Sequence, residues 1–519
     1  MRREEMLARL SEERKGWDFV VIGGGATGAG IALDAASRGY DVALVERSDF
    51  GAGTSTRSTK LAHGGVRYLE QGNVALVMDA LRERGVMREN APHLVSDLAF
   101  VVPNYEWWEA PFYGVGLRLY DLLAGRYGFG ASRILSKEET LDRLPNLKTD
   151  GLRGGVVYYD GQFDDSRLLI HILMTAAAQG AAVVNYCPAV ALLENSEGFV
   201  NGVRVRDLEG GEELELNARV VINASGPFSD EVRRLGQADA EPLVAPSQGV
   251  HLVFDASFLA ADTAILVPRT RDGRVMFAIP WHGHALVGTT DTPISEVEEE
   301  PRPLAGEMDF ILETAADYLA RPPQRSDILS AWAGIRPLVK TGAGGTAQLS
   351  RDHTIHVDRN GLLSIAGGKW TTYRKMAEDA VTQGALLAGL EERDCVTRRL
   401  HVHGFHTHAR KFGALSVYGS DAMAIENLIR SQPSLGAPLH GDLPYVEAQV
   451  IWAVRMEMAR TLVDVLSRRL RALTLNARAA LEMAPRVAAL MRDELRRDDA
   501  WAETELRRFR ELAQQYLPA

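Results

Sequence analysis

Cysteine is scarce in this chain, since only Cys187 and Cys395 occur among 519 residues. Their spacing fits neither a metal site nor a redox CxxC pair. Two cysteines in a chain of this length are also too few for a disulfide-stabilised secreted scaffold. No apolar run reaches the roughly 18 to 20 residues that a membrane-spanning helix requires. The N-terminal segment, MRREEMLARLSEERKGW, lacks the apolar core of a secretory signal. We therefore expect a cytoplasmic protein or one bound to a membrane surface.

An excess of positive charge is also absent, because the formal net charge is -11. Nucleic-acid binding requires a basic surface, so we expect no nucleic-acid partner. The hydrophobic fraction of 46% and the charged fraction of 24% are ordinary for a globular protein. A chain of this length is expected to form two or more domains. Internal repeats and low-complexity tracts are lacking as well.

The N-terminal region carries the pattern of a dinucleotide-binding unit. A β-branched strand at 18–23 is followed by a turn with Gly23, Gly25 and Gly28 in G-x-G-x-x-G spacing, and then by a helix at 29–37. The helix N-terminus favours a pyrophosphate, which would contact Ala26 and Thr27 as well. A second strand at 41–45 ends on Glu46, whose carboxylate can bind ribose hydroxyls. The unit predicts dinucleotide binding.

Two later turns favour FAD over NAD. The segment Asn223–Gly226 closes a strand, and Gly367, Gly368, Lys369 and Thr371 open a helix after the strand at 361–366. Such turns can present backbone N–H groups to a flavin ring. The alternative for the second turn is a simple helix N-cap.

We predict an α/β fold, α+β overall, with a Rossmann-like FAD-binding domain of the glutathione-reductase or D-amino-acid-oxidase type. This domain spans 1–400 and is interleaved with a mostly β substrate domain, at roughly 73–150 and 230–345. A C-terminal α-helical domain spans 401–519, with its clearest helical pattern at 445–473.

Five motifs in order carry a resemblance to a known family. The run RSTKLAHGGVRYLE (57–70) resembles the signature of FAD-dependent glycerol-3-phosphate dehydrogenases, and four later motifs resemble that family in the same order. These are IPWHGHALVGTTDT (279–292), AGIRPL (333–338), LSRDHTI (349–355) and GGKWTTYRKMAEDA (367–380). The resemblance implies oxidation of sn-glycerol 3-phosphate to dihydroxyacetone phosphate by hydride transfer to FAD, with electrons passed to a membrane quinone.

The resemblance also implies the site residues. It assigns Arg67, Arg336 and Lys369 to the substrate phosphate or the incipient ketone, with Tyr68 and Arg351 beside them. His63 and His251 are candidates for the base, and His63 could equally contact the flavin. The full predicted cofactor set is Gly23, Gly25, Ala26, Thr27, Gly28, Glu46, Ser58, Thr59, Lys60, His63, Gly64, Gly65, Val190, Ala224, Gly226, Gly368, Lys369, Trp370 and Thr371.

Three alternatives stay open at this stage. The protein could be an oxidase that uses oxygen, an amino-acid oxidase of the same broad fold, or a flavin-binding module without turnover. The aromatic segment 106–130 suits a membrane interface, which would place the protein on the inner face of the cell membrane, but it equally suits a core or a substrate channel. A homodimer is one option for assembly.

The histidines His401, His403, His406 and His408 resemble a metal site by composition. No carboxylate or cysteine completes a familiar ligand spacing, so we expect no metal and interpret them as a solvated or domain-packing segment.

Overall fold

The computed structural model describes residues 1–12, 16–65, 73–271, 273–340 and 353–518. Three of the predicted substrate residues, Arg67, Tyr68 and Arg351, lie outside this part of the chain. The described residues form two β-sheets and a C-terminal group of helices.

The strands, in chain order, are β1 Trp17–Ile22, β2 Val42–Val45, β3 Leu61–Ala62, β4 Val95–Asn104, β5 Arg133–Ser136, β6 Gly154–Phe163, β7 Ala182–Val184, β8 Ala189–Glu194, β9 Val200–Arg206, β10 Glu213–Asn223, β11 Val244–Asp255, β12 Thr263–Val267, β13 Met276–Trp281, β14 His284–Gly288, β15 Thr292–Pro293, β16 Ser330–Val339, β17 His353–Val357 and β18 Leu363–Gly367. The α-helices are α1 Arg3–Ser11, α2 Ala26–Ser37, α3 Val74–Asn90, α4 Glu109–Ala124, α5 Lys137–Arg143, α6 Asp165–Ala178, α7 Ser229–Arg234, α8 Ala305–Tyr318, α9 Tyr373–Leu387, α10 Ala422–Ser431, α11 Glu447–Glu457, α12 Ala472–Leu475, α13 Ala477–Leu495 and α14 Asp499–Gln514.

The first sheet has the order β17-β18-β10-β1-β2-β7, and its central strands are parallel. Phe19, Val20 and Val21 of β1 are completely buried because α2 packs with α6 and α9 over this sheet. Continuous burial of a β-branched strand is typical of a parallel sheet covered on both faces. Strand β9 pairs antiparallel with β10, from Gly202–Asn217 to Arg206–Glu213.

The second sheet is mostly antiparallel and has the order β15-β11-β14-β13-β12-β4-β6-β3, with β16 on β11 and β5 on β6. Helix α8 packs against β11 and β14, whereas α4 and α5 pack against β6. Strand β3 is only two residues long, but it joins the signature segment to this sheet through Ala62 opposite Gly161. The predicted α/β fold, α+β overall, is confirmed.

The C-terminal region is helical, as predicted, but the segment 445–473, which has the clearest helical pattern, is not one continuous helix. Helix α11 ends at Glu457, and Met458 adopts φ +55. A π-helical turn at Asp464–Arg469 then precedes Arg471 at φ +62 and the short helix α12. The physical reason is side-chain competition: Asp464 Oδ2 accepts the Arg460 and Thr461 N–H groups at 2.7 and 3.0 Å, which satisfies them outside a helix.

A buried charge network joins the C-terminal helices to the first sheet. Asp49 is fully buried. Its carboxylate accepts hydrogen bonds from Arg469 at 2.7 and 2.9 Å and from Arg468 at 2.5 Å. It also accepts one from the Asn185 amide at 3.1 Å. Burial alone would raise the pKa of Asp49, but the charges of Arg469 and Arg468 hold it below its ordinary value. Removal of Asp49 would strand two buried cations, which is a strongly destabilising change.

The histidine-rich connector packs between these parts of the fold. His403 Nε2 lies 2.7 Å from Asp421 Oδ2, and its ring stacks edge-on against buried His171 of α6. His401 stacks on Phe405 with ring centroids 3.6 Å apart. These contacts give the connector a packing role.

Candidate active site

The turn between β1 and α2 is closed by two glycines in direct contact. Gly23 adopts φ +113, and its N–H donates to Val45 O at 2.9 Å. A Cβ at position 28 would lie 1.9 Å from Gly23 O, so only glycine fits there. The turn therefore delivers the chain directly into the N-terminus of α2, as the motif predicts.

The N-terminus of α2 is open to an anion. Its N-cap residue, Gly25, provides no capping side chain, and none of the described first-turn residues is acidic. Ser55 Oγ accepts the Ala26 N–H at 2.9 Å and lies 3.0 Å from a Cβ built at Gly25. A first turn with no side-chain cap and no acidic residue fits the pyrophosphate of a dinucleotide, because helix N-termini bind phosphate through their backbone N–H groups.

Glu46 stands at the end of β2 on the wall of the same cavity. Its Oε2 accepts the Gly24 N–H at 2.6 Å, and its Oε1 accepts the Ser48 N–H at 2.9 Å. Burial raises the pKa of the carboxyl above its ordinary value, while the Ser48 and Gly24 bonds lower it. Each carboxylate oxygen can accept a second hydrogen bond, so the group can still bind ribose hydroxyls.

A cavity of about 550 Å³ runs from this turn to the late turn after β18. Ten predicted cofactor residues line it: Gly23, Gly25, Ala26, Thr27, Glu46, Ala224, Gly226, Gly368, Lys369 and Trp370. Gly28 supports the turn from behind. Val190 lies beside the lining residue Ala189, and Thr371 is buried next to Trp370. The cavity is long, apolar in large part and anion-accepting at one end, which fits FAD.

The late turn brings a second glycine pair to the cavity. Gly367 and Gly368 adopt φ +77 and +74, and a Cβ at Gly368 would lie 2.4 Å from Met376 Sδ. Trp370 Nε1 donates to Ser55 O at 2.7 Å, so this turn is tied to the segment that contacts α2. Lys369 lines the cavity between them. Within these described residues, no side chain caps the helical turn that follows.

The signature segment is tied to α6 through Lys60 and Ser58. Lys60 was expected to contact the cofactor, but its Nζ is fully buried and donates to Asp165 at 2.7 and 2.9 Å and to Thr56 O at 2.7 Å. Burial lowers the pKa of Lys60, whereas the charge and hydrogen bonds of Asp165 raise it. Ser58 Oγ also donates to Asp165, at 2.7 Å. A buried lysine needs a carboxylate partner, and Asp165 provides it, so the Lys60 side chain is structural.

The other predicted residues of this segment, Thr59, His63, Gly64 and Gly65, also lie outside the described wall of the cavity. Thr59 Oγ1 lies 2.9 Å from His251 Nε2, and Gly64 N–H donates to Tyr120 Oη at 2.8 Å. Thr54 and Ser55, which lie just before the segment in the chain, line the cavity.

The two candidate bases differ in exposure. His251 is 3% exposed, and its ring stacks on Trp332 with centroids 4.4 Å apart. Burial, with the charges of Lys60 and Arg336, holds the pKa of His251 well below its ordinary value. His63 is partly exposed. His63 is therefore the more accessible of the two candidates.

Arg336 lies on β16, one residue before Pro337 of the cavity wall. Its guanidinium donates to Asp291 Oδ1 at 3.1 Å and to Thr290 O at 2.9 Å, and the side chain is 25% exposed. Gly249 allows this placement, because a Cβ there would lie 2.4 Å from the guanidinium. An oriented and accessible guanidinium suits a phosphate or carbonyl oxygen.

Two arginines of the cavity wall, Arg47 and Arg468, were not predicted from the sequence. Arg47 lies 3.8 Å above the Phe228 ring and pairs with Glu231 and Glu299. Its position directly after Glu46 was the available signal. Arg468 reaches the cavity from the C-terminal helices, and no local pattern in the sequence indicates that contact.

Comparisons with known proteins agree with this geometry. A family profile described as FAD dependent oxidoreductase matches residues 18–374, and one described as the C-terminal domain of alpha-glycerophosphate oxidase matches residues 364–502. The mitochondrial glycerol-3-phosphate dehydrogenase of Homo sapiens is 41% identical over 96% of this chain and 73% of its own length. This chain belongs to the FAD-dependent glycerol-3-phosphate dehydrogenase family.

Solved structures support the same assignment. The glycerol-3-phosphate dehydrogenase from Bacillus halodurans complexed with FAD is 30% identical, with a TM-score of 0.81 over 99% of this chain and 97% of that one. The glycerophosphate oxidase of Mycoplasma pneumoniae, at 16% identity and a TM-score of 0.57 over 75% of this chain and 98% of that one, shares the fold. The predictions of an FAD-dependent enzyme and of its family are confirmed. No helix in the described ranges is long and apolar enough to cross a membrane.

Proposed function

We propose that this protein oxidises sn-glycerol 3-phosphate to dihydroxyacetone phosphate with FAD. The observation that carries the proposal is the placement of Arg336, an accessible guanidinium fixed by Asp291 and Thr290, directly beside the wall of the FAD cavity. A phosphate monoester requires such a cation. Bound FAD supplies the hydride acceptor for the carbinol carbon.

The chain's own residues divide the remaining work. Arg336 and Lys369 bind the substrate phosphate or the developing ketone, together with Arg67, Tyr68 and Arg351 by family resemblance. His63 takes the hydroxyl proton. His251 supports the site from behind, since its ring fills the space between Trp332 and Gly288.

The decisive test is anaerobic reduction of the purified yellow protein. Glycerol 3-phosphate should bleach the flavin absorption near 450 nm, whereas glycine and proline should not. Bleaching by an amino acid would favour an amino-acid oxidase, and no bleaching by any glycerol phosphate would favour a module without turnover. His63→Asn should slow the bleaching far more than His251→Asn; the reverse order would move the base to His251.

Electrons from the reduced enzyme go to a membrane quinone, in the dehydrogenase mode. Turnover with a soluble quinone analogue should exceed turnover with oxygen as the only acceptor by about tenfold or more. Stoichiometric hydrogen peroxide at a comparable rate would instead identify an oxidase.

Helix α4 provides the surface that would meet the membrane on the inner face of the cell. Its outward side exposes Phe112 at 52%, Val115 at 72%, Leu119 at 45% and Leu122 at 77%, and Trp107 just before it is 74% exposed. These helical positions recur at intervals of three and four residues, so they form one stripe. Indole and phenyl rings at the edge of an apolar stripe favour the lipid interface.

Vesicle binding tests this surface. Val115→Glu combined with Leu122→Glu should abolish co-sedimentation with phospholipid vesicles while leaving flavin content unchanged. Leu386→Glu is the matched control, because Leu386 on α9 is equally exposed, at 80%. If wild type does not sediment, and the double variant converts a dimer to a monomer, the stripe is a homodimer interface.

A further inference from the structure

The hydroxyl of Tyr120 joins helix α4 to the signature segment. Tyr120 is 1% exposed and lies on the inner side of α4, opposite the apolar stripe. Its Oη accepts the Gly64 N–H at 2.8 Å and donates to Asp160 Oδ2 at 2.8 Å. Gly64 directly follows His63, so this contact fixes the backbone next to the proposed base.

The acceptor of the Tyr120 proton is itself held in place. Asp160 on β6 is buried, and its Oδ1 accepts from Arg84 of α3 at 2.6 Å and from the Gly161 N–H at 3.1 Å. Because Asp160 accepts the phenolic proton, the remaining lone pairs of Oη are turned toward Gly64. Burial holds the pKa of Tyr120 well above its ordinary value, so the hydroxyl keeps its proton.

The fit around Gly64 is close. A Cβ at this position would lie 2.4 Å from Tyr120 Oη and 2.5 Å from Leu81 Cδ2. On the other side of His63, Ala62 is paired with Gly161 of β6. The backbone of His63 is thus held from both sides, by the β3–β6 pairing before it and by Tyr120 after it.

We propose that Tyr120 is a positioning residue for the oxidation, which acts by fixing His63 through the Gly64 N–H. The inference rests on the proposed function, in which His63 contacts the reacting atoms or the flavin. The role reaches beyond packing, because the hydroxyl on α4 links Asp160 of β6 to the segment that presents His63. It also gives α4 two functions, since its other face carries the stripe proposed to meet the membrane.

The test is Tyr120→Phe, which deletes the oxygen and keeps the ring. We expect kcat for glycerol 3-phosphate, with a soluble dye acceptor, to fall about tenfold, with KM within about twofold of wild type and full FAD content. Tyr158→Phe is the matched control: Tyr158 is also buried on β6 and packs against Tyr120, but its hydroxyl has no hydrogen-bond partner among the described residues. Its kcat should match wild type.

A double-mutant cycle separates positioning from general support. In the His63→Asn background, Tyr120→Phe should change kcat by no more than about twofold, because its effect passes through His63. An equal tenfold loss in both backgrounds, or wild-type kcat for Tyr120→Phe, overturns the inference. If the single Tyr120 variant loses its FAD, Gly64→Ala, whose methyl group presses on the same hydroxyl, should give the same kcat loss, and wild-type kcat for it also overturns the inference.

The cycle also separates this inference from the proposed function. If wild type bleaches with glycerol 3-phosphate and His63→Asn does not, the proposed function stands whatever Tyr120→Phe shows. If His63→Asn turns over like wild type, the role of His63 fails and the inference about Tyr120 fails with it.

Discussion

Replacement of Gly28 by alanine should weaken the binding of FAD to this protein. Gly28 is the third residue of α2, and the methyl carbon of an alanine there would lie 1.9 Å from the backbone oxygen of Gly23. An ordinary C···O contact is about 3.3 Å, so the two backbones would have to separate by about 1.4 Å. The backbone of Gly23 has little room to move. A Cβ built at Gly23 would already lie 2.6 Å from Ala224 O, and the Gly23 N–H is bound to Val45 O at 2.9 Å.

The magnitude follows from two opposing terms. Alanine is a better helix former than glycine by about 1 kcal/mol, which favours the variant. Overpacking a close-packed contact costs about 3 kcal/mol, and more when backbone must move. The substitution therefore destabilises the turn conformation that binds the pyrophosphate by a net amount of about 2 kcal/mol. At about 1.4 kcal/mol per tenfold, the dissociation constant of FAD should rise by about 30-fold or more.

The assay is fluorescence titration of the FAD-stripped protein with FAD, together with the 450 to 280 nm absorbance ratio after dialysis. Gly306→Ala is the matched control, since Gly306 lies in the first turn of α8 and a Cβ there meets no atom within 4 Å. The control should bind FAD like wild type. Wild-type affinity in Gly28→Ala would refute the placement of the dinucleotide at this turn.

Three further outcomes are expected. Arg336→Ala should lower kcat/KM for glycerol 3-phosphate by about 100-fold with FAD retained, and Arg336→Lys should recover part of the loss; unchanged kinetics would remove Arg336 from the site. Gly25→Val should strip FAD, because the side chain would occupy the approach of the pyrophosphate; full flavin content would contradict this. Burial, with the charge of Arg167, lowers the pKa of His93 to about 4. Between pH 6.5 and 4 this histidine is therefore protonated in the unfolded chain but neutral in the native protein. The free energy of unfolding should therefore fall by about 3 kcal/mol as the pH falls from 6.5 to 4, and His93→Gln should reduce that slope in denaturant titrations.

The dinucleotide turn could be predicted from the sequence because its determinants are local. The strand, three glycines and the acidic residue at the next strand end lie within 30 residues of each other, and each has one steric or electrostatic role. The structure adds Ser55 to this site. Its hydroxyl accepts the Ala26 N–H, and its carbonyl accepts the Trp370 Nε1–H. That link joins segments more than 300 residues apart, so no local pattern could indicate it.

Two local structures could not be predicted from the sequence. Lys60 stands in a motif that carries cofactor and substrate residues, but its charge is neutralised by Asp165, about 100 residues later in the chain. The helical pattern at 445–473 gives no sign of the break after α11, where Asp464 accepts backbone N–H groups. In both cases a buried carboxylate, invisible to periodicity, decided the local structure.

Helix α4 shows why a single segment can satisfy two interpretations of its composition. The aromatic residues of 106–130 suit both an interface and a core, and the helix separates them by face: Gly114, Leu117, Tyr120 and Ala124 point inward, while the exposed stripe points outward. Repeats of three and four residues on opposite sides of one helix produce this division. Because Tyr120 carries the polar atom on the inward face, the contact that reaches Gly64 is set by the same helix whose outward face is proposed to bind lipid.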